Sequence, residues 1–196
     1  MQLVKYGITL QTLTHEDLEM VRHWRNQDRV RLNMEFQEVI DAEAQQVWFK
    51  NLKKSSHLYF IITKGQEKIG VVNLKNIDLE NACAEAGIFI GEIAHLNSLS
   101  PLLATVSIME LAFGELRLKT LLAKIASDNR KAILFNEALG YKKSGVQTSD
   151  KFLYYQVTAD QFTEATKTIR STLNKLTADD YKLIADSEEK QLFQIR

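Results

Sequence analysis

The segment from Ala84 to Tyr141 constrains the fold most, because strand-like and helix-like patterns alternate in it at short spacing. A glycine-bearing apolar run leads into a polar turn, and Pro101 then opens an apolar-periodic helix. A second apolar run and a second helical stretch over 129–138 follow directly. This order of strand, helix, strand and helix predicts an α/β domain.

The flanking sequence adds further elements. Thr14 and Asp41 are expected to cap two helices, and Lys64-Gly65-Gln66-Glu67 is the expected turn of a hairpin. Strands are predicted over 3–10, 58–63, 68–74, 84–90, 120–126, 141–146 and 152–158. The resulting order, β-αα-βββ-α-β-α-ββ, predicts an α/β fold with a mixed central sheet and helices on both faces.

Composition excludes several classes of partner. A chain of 196 residues, 45% of them hydrophobic, can bury one large core. Its 25 basic and 25 acidic residues cancel, which argues against a nucleic-acid or membrane partner. Cys83 is the single cysteine, and neither a signal peptide nor a membrane-spanning run is recognisable. We therefore expect a cytoplasmic location, and we identify no set of metal ligands.

The turn before Pro101 is a candidate anion site. Ser100 is the predicted N-cap and Pro101 the predicted first helical residue. The unpaired N–H groups and the dipole of a helix start can hold a pyrophosphate without a basic patch. The order of elements around this turn suggests an acyl-CoA site.

Two motifs in this region resemble the GCN5-related N-acetyltransferase (GNAT) superfamily. Asn129-x-x-Ala132-Ile133 and the later Leu139-Gly140-Tyr141 are similar to the family's Asn-x-x-Ala-Ile segment and terminal Gly-Phe. His95-x-x-Ser98-x-Ser100 stands where the family has its pyrophosphate loop, with small residues in place of the glycines. The resemblance covers roughly residues 2–158 and implies one acetyltransferase domain, which we bound at 1–158, with acetyl-CoA as cosubstrate.

The resemblance also implies where the cosubstrate binds. A central strand that splays or bulges over residues 89–92 would offer free N–H groups to the pantetheine arm and to the thioester carbonyl. Arg130 could meet the 3′-phosphate, or it could be only a solvated helix charge. Asn129 could contact the cofactor, form the N-cap of its helix, or do both. The expected cofactor-binding residues are Phe89, Ile90, Gly91, His95, Asn97, Ser98, Ser100, Asn129 and Arg130.

Acetyl transfer to an amine needs a neutral nucleophile and, usually, a proton for the departing thiolate. Glu85 is the candidate base, because a carboxylate in an apolar strand is costly and burial would raise its pKa. A structural ion pair is the other explanation of Glu85, and Asp78 is the alternative base. Asn136 stands where many GNAT members carry a tyrosine acid, and an amide cannot surrender a proton at neutral pH. Water or another hydroxyl would then protonate the thiolate, or activity would be weak or absent.

The N-terminal half resembles the subgroup that N-acetylates nucleotide-linked 4-amino-4,6-dideoxy sugars on the route to pseudaminic acid. The similarity lies in Trp24-Arg25-Asn26 and in a methionine-bearing loop with Met34 and Phe36. The resemblance implies that these residues bind the sugar nucleotide. Arg25 could pair with a diphosphate while Met34 and Phe36 enclose a base, although Trp24 and Met34 also fit a core.

Two alternatives to the sugar nucleotide remain open at this point. One is acetylation of a protein N-terminus or a polyamine, and the other is a CoA-binding protein with lost catalysis. The tail over 159–196 is predicted as a helical extension packed on the same domain, because Phe162, Ala165, Ile169 and Leu173 recur at helical spacing. This tail would clamp the core, contact a second copy in a homodimer, or cover the acceptor site.

Overall fold

The computed structural model describes residues 1–53, 55–145, 151–177 and 181–195. The strands within these ranges are β1 (Gln2–Lys5), β2 (Ile8–Thr12), β3 (Leu58–Lys64), β4 (Glu67–Asp78), β5 (Cys83–Ile90), β6 (Thr120–Ala126), β7 (Lys142–Lys143), β8 (Phe152–Thr158) and β9 (Lys182–Ile184). The helices are α1 (Leu18–Asn26), α2 (Asp28–Arg31), α3 (Ala42–Lys50), α4 (Ser100–Glu110), α5 (Arg130–Ala138), α6 (Ala159–Thr177) and α7 (Ser187–Phe193). None of the helices in these ranges is long and apolar enough to cross a membrane.

All the strands form one mixed sheet in the order β7-β8-β6-β5-β4-β3-β2-β1-β9. The pair β5–β6 is parallel, and the other neighbouring strands are antiparallel. The predicted fold class, a mixed sheet flanked by helices, is confirmed.

The two faces of the sheet carry different cores. The front face packs against α1 through Leu18, Val21 and Trp24, which contact Ile61 and Val71 of the sheet. The larger core fills the rear face, where α4 and α6 lie; α4 is buried along most of its length. Catalytic side chains can therefore be presented from either face, provided that the sheet has an opening between them.

The helix caps follow the sequence prediction at three of four sites. Thr14 makes a capping box with Asp17, Asp41 accepts from the N–H of Ala44 at 2.7 Å, and Asn129 accepts from that of Ala132 at 3.1 Å. The prediction for Ser100 is wrong by one residue, because α4 starts at Ser100 itself.

The reason lies just before α4. Ser98 Oγ accepts from the N–H of Ser100 at 3.1 Å, and Leu99 C=O accepts the first helical bond, from Leu103, at 3.0 Å. Since Pro101 has no N–H to offer, the side-chain bond goes to Ser100.

Two strand predictions need correction. The single strand expected over 3–10 is a hairpin, because Tyr6 and Gly7 form its turn with φ values of 56° and 68°. The strand expected over 141–146 is only the two residues of β7, and Val146 lies outside the described residues.

The tail over 159–196 contains two helices and a short strand. Phe162 and Leu173 of α6 and Phe193 of α7 are buried in the rear core. The predicted helical extension is thus present as α6 and α7, and between them the chain adds the short strand β9, which pairs with β1 at the far side of the sheet.

Candidate active site

The sheet opens between β5 and β6. These strands pair only at Cys83–Thr120, Ala84–Leu121 and Glu85–Leu122. The pairing of β5 with β4, in contrast, continues to Ile90. Residues 86–90 therefore keep one edge of β5 free of a strand partner, as predicted in kind but starting earlier than the expected 89–92.

A cavity of about 780 Å³ passes through this gap. It is lined by residues of β5 from both faces of the sheet, since Glu85, Gly87 and Phe89 alternate with Ala86, Ile88 and Ile90. The front half lies under α1, α3 and the segment between them; the rear half lies beside α4 and α5. Two ligands approaching from opposite faces would meet at the gap.

Glu85 lies at the point where the two strands part and lines the cavity. Lys75 Nζ contacts Glu85 Oε1 at 2.5 Å, so the carboxylate is ion-paired and about a quarter exposed rather than buried. Tyr59 is close enough for the two groups to interact. Burial, together with the negative charge of Glu85, raises the pKa of Tyr59 to about 12. Glu85 is thus well placed to act on an amine, and its role as base stays a prediction.

Asn136 lines the rear half of the cavity on α5. Its Nδ2 donates to the carbonyl oxygen of Ala132 at 2.8 Å. One of the two amide N–H groups is therefore engaged with its own helix, and the role of Asn136 at the thiolate stays a prediction.

The predicted phosphate turn lies mostly outside the cavity. His95 contacts Glu67 Oε2 at 2.9 Å through Nε2, and Ser98 Oγ donates to the carbonyl of His95 at 2.8 Å. Asn97 is exposed and Ser100 is buried at the start of α4. These contacts turn His95 toward β4, while Asn97 and Ser98 of the turn remain on the surface.

The other predicted cofactor residues fall into two groups. Phe89, Ile90 and Asn129 line the cavity, whereas Arg130 is exposed at the start of α5. Gly91 lies against the ring of Trp24, where an added Cβ would come within 2.1 Å of Cδ2. Glycine is therefore required here for α1 to pack against the end of β5.

Arg25 reaches the front half of the cavity from α1. Its Nη2 donates weakly to the carbonyl of Phe36 at 3.4 Å, and its Nη1 is buried without a hydrogen-bond partner among the described residues. Burial lowers the pKa of this guanidinium, and none of the described carboxylates forms an ion pair with it. Met34 and Phe36 line the same part of the cavity.

Trp24 and Asn26 do not line the cavity. Trp24 is 1% exposed, packs in the front core and donates from Nε1 to Glu92 at 2.8 Å. Asn26 uses both ends of its amide on Ile40, donating to its carbonyl and accepting from its N–H at 2.8 Å each. The prediction that these two residues touch the substrate is not supported, because their polar atoms are already occupied.

Residues 32–40, which we term the strap, cross the front of the cavity. Asn26 holds one end through Ile40. On the other side of the gap, Glu35 pairs with Lys124 of β6, and Asn33 accepts from Asn129 Nδ2 at 2.7 Å. The strap thus connects the two halves of the opened sheet.

Several cavity residues were missed by the sequence reasoning. Arg29 donates to the carbonyls of Ile90, at 2.8 Å, and Gly91, at the end of the free edge of β5. The others are Trp48, Tyr59, Asn73, Lys75, Lys124 and Tyr141. Alternation along β3 and β4 placed Tyr59, Asn73 and Lys75 on one face, but only the pairing register shows that this face lines the cavity.

The comparisons with known proteins agree with this architecture. The family model described as "Acetyltransferase (GNAT) domain" matches residues 8–142. Acetyltransferase PseH from Campylobacter jejuni strain 81-176 is 30% identical over 122 residues, which are 62% of this chain and 74% of that protein.

Two solved structures share the fold. FdhC, described as a nucleotide-linked sugar GNAT, superposes with a TM-score of 0.73 at 21% identity and covers 88% of this chain and 98% of its own. Spermidine N-acetyltransferase from Vibrio cholerae, in complex with CoA and spermine, superposes with a TM-score of 0.71 at 18% identity. The match covers 80% of this chain and 98% of that one. With the opened sheet and the through-going cavity, the family match establishes that this chain belongs to the GNAT family and is an N-acetyltransferase that uses acetyl-CoA as cosubstrate.

Proposed function

We propose that this acetyltransferase acetylates the amine of a nucleotide-linked amino-deoxy sugar. The observation that carries the proposal is the half-buried Arg25 guanidinium, which faces the front of the cavity and pairs with no carboxylate of the described residues. A guanidinium left in this state is suited to bind a diphosphate through paired hydrogen bonds.

The charge balance of the cavity supports an anionic acceptor. Four basic side chains line it, and two acidic ones: Arg25, Arg29, Lys75, Lys124, Glu35 and Glu85. Both acids are already paired, with Lys124 and Lys75 respectively. A polyamine would bring further positive charge against this excess, whereas a nucleotide diphosphate would neutralise it.

The shape and chemistry of the front half suit a nucleoside. Met34, Phe36 and Trp48 provide apolar surface beside Arg25. Phe36 is 56% exposed, an arrangement that is costly for a core residue and useful for one that covers a base. FdhC is described as a nucleotide-linked sugar GNAT, which points in the same direction for that relative.

In this proposal the reaction takes place at the gap. The free edge of β5 receives the pantetheine arm, and the turn before α4 receives the pyrophosphate. Glu85, held by Lys75, takes the proton that the amine loses when its nitrogen attacks the thioester carbonyl. A β5 N–H polarises that carbonyl.

The polyamine alternative has one observation in its favour, the shared fold with spermidine N-acetyltransferase. At 18% identity this likeness extends to the fold alone. We therefore keep it as the second arm of the test.

The test is a direct competition between acceptors. Initial rates of CoA release are measured with acetyl-CoA and either a UDP-linked 4-amino-4,6-dideoxy sugar or spermidine, each across a range of concentrations. We expect kcat/KM for the nucleotide sugar to exceed that for spermidine by at least about 100-fold, since two to three charge-assisted bonds separate them. A preference for spermidine, or binding of acetyl-CoA with no turnover of any amine, would overturn the proposal.

A further inference from the structure

Directly after β5 the chain turns two carbonyl oxygens toward the side of the gap. The N–H of Gly91 donates to the carbonyl of Ile69 on β4 at 2.8 Å, and the N–H of Glu92 donates to the same oxygen at 3.1 Å. Two residues thus face one, which is the arrangement of a β-bulge. Since an N–H and the carbonyl before it point to opposite sides of a trans peptide, the carbonyls of Ile90 and Gly91 both point away from β4.

The same peptide geometry places an N–H on this edge. The carbonyl of Phe89 lies toward β4, where its oxygen would be 2.4 Å from a Cβ added to Gly70. The N–H of Ile90 therefore points the other way, to the edge of β5 from which β6 has parted. Because the proposed function places the thioester along this edge, the N–H of Ile90 is a donor that can polarise the thioester carbonyl.

The two carbonyl oxygens beside that donor would work against it. When an amine attacks the thioester, negative charge develops on the thioester oxygen, and the partial negative charges of the two backbone oxygens would repel it. Arg29 of α2 engages both of them. Its Nη1 donates to the oxygen of Ile90 at 2.8 Å and its Nη2 donates to that of Gly91. The planar guanidinium thus covers both acceptors and brings a positive charge to the edge.

Arg29 is held at the gap by its surroundings. It is half-buried and lines the cavity. On the preceding helix, Trp24 packs against Gly91 and donates from Nε1 to Glu92 at 2.8 Å, so the bulge is also tied to α1. No carboxylate among the described residues forms an ion pair with Arg29, and its charge therefore acts on the edge without being neutralised.

We propose that Arg29 is a positioning residue for acetyl transfer, which holds the bulge after β5 so that the N–H of Ile90 and not the neighbouring carbonyls dominates at the developing oxyanion. As the amine nitrogen bonds to the thioester carbon, one electron pair of the C=O bond moves to oxygen. It returns when the C–S bond breaks and its electron pair leaves with sulfur, while the amine proton passes to Glu85. The assignment rests on the proposed place of the thioester at the β5 edge and not on the identity of the acceptor.

The first measurement needs acetyl-CoA alone. Isotope-edited infrared spectra of acetyl-CoA labelled with carbon-13 at the carbonyl record the thioester C=O stretch, which moves to lower wavenumber as the bond is polarised. We expect the band in the wild-type complex to lie below that of free acetyl-CoA. Arg29→Met should return the band toward the free position, and Arg29→Lys, which keeps the charge but not the forked contact, should lie between the two.

The second measurement is turnover of any amine that the wild-type protein acetylates. Loss of one oxyanion donor costs on the order of 100-fold or more in kcat, and Arg29 acts through such a donor, so Arg29→Met should lower kcat about 30-fold. The KM for acetyl-CoA should stay within about threefold, because Arg29 is not part of the proposed pyrophosphate site. A defect in folding alone would lower the active fraction without moving the infrared band.

Arg31→Met is the matched control. Arg31 lies on the same helix and also donates to a backbone carbonyl, that of Gln37, but it does not line the cavity. Its infrared band should coincide with that of wild type. Thermal unfolding shows the stability that each variant loses. If Arg29→Met does not fold, Arg29→Lys takes its place, and both its band and its kcat must then differ from those of wild type.

Three results would overturn the assignment. The first is a wild-type band at the position of free acetyl-CoA. The second is an Arg29→Met protein whose band stays at the wild-type position or whose kcat is within about twofold of wild type. The third is an equal displacement of the band in Arg31→Met, because a general loosening of α2 would act in that way. Since the infrared measurement involves no acceptor, failure of the nucleotide sugar as a substrate would affect only the proposed function.

Discussion

Two groups on opposite sides of the molecule contain the same four residue types and differ in how far their polar atoms are satisfied. Behind the sheet, Glu110 accepts from Tyr6 Oη at 3.1 Å, from Lys5 at 2.9 Å and from Arg170 at 3.3 Å. We call this the rear tetrad. In the cavity, Glu85 contacts Lys75, while Tyr59 interacts with both Glu85 and Arg25 only electrostatically.

The difference distinguishes polar groups that stabilise the fold from polar groups that are available to bind a ligand. The charge of Arg170 is met by Glu110, although its buried Nε has no partner among the described residues. Arg25 has no such carboxylate partner within the described part of the chain, and burial lowers its pKa. A folded chain tolerates an unmet charge of this kind only where a ligand or water supplies the missing contacts.

Matched substitutions of the two glutamates give the largest expected effects and test the comparison directly. Glu85→Gln should lower kcat by about 1,000-fold at neutral pH, as expected for loss of a general base, with acetyl-CoA affinity unchanged. Calorimetric titration with acetyl-CoA and steady-state rates across pH provide the check. A kcat that stays within a few-fold of wild type at all pH values would remove Glu85 from the mechanism.

Glu110→Gln should have the opposite effect, leaving kcat unchanged and lowering the free energy of unfolding. Removing the shared carboxylate leaves Lys5 and Arg170 without their partner in a site where Glu110 is only 15% exposed, and we expect a loss of about 2–3 kcal/mol in unfolding free energy. Urea unfolding measures it. A loss of activity in this variant under conditions where it remains folded would show that the rear tetrad is not purely structural.

The two arginines form the next pair. Arg25→Met keeps most of the side-chain volume and should lower kcat/KM for the nucleotide sugar by about 30-fold, the worth of a charge-assisted contact of about 2 kcal/mol. Its stability should be equal to or above that of wild type, because a desolvated charge is removed. Arg170→Met should leave kcat/KM unchanged and lower the melting temperature. Equal behaviour of the two variants would mean that the distinction between the two groups is not functional.

The smallest effect is expected at the strap. The contact with Lys124 lowers the pKa of Glu35, so this pair contributes above the ordinary glutamate pKa and is lost as pH falls through the lowered value. Glu35→Gln should raise the acceptor KM about twofold to fivefold at neutral pH and low salt, because the pair is exposed and screened. The variant and wild type should converge at high salt. No convergence would show that Glu35 acts by contact with the acceptor instead of through Lys124.

Local signals predicted the elements of this fold well. The bounds of β6 were predicted as they stand, and the caps at Thr14, Asp41 and Asn129 were identified because a cap depends on a few adjacent residues. The turn at Tyr6-Gly7 was missed, because a tyrosine at positive φ is uncommon.

The site was harder to predict because it depends on contacts between distant segments. That Glu85 would meet Lys75 follows from strand register, and that Trp24 would be sealed against Gly91 follows from the packing of α1 on the sheet. Asn26 has a side chain that could bind a ligand, but both ends of its amide instead hold the strap in place through Ile40. Tyr141 stood in the sequence as the end of a family motif, and only the turn after α5 brings it next to Asn136.

The two ends of the sheet also affect how the protein behaves at high concentration. Its outermost strands, β7 and β9, contain two and three residues. So short an edge offers an incoming strand few backbone groups to pair with, which is how many natural sheets avoid growing by addition of further chains. The sheet can therefore be opened in its middle to admit two ligands while its margins resist fibrous self-association.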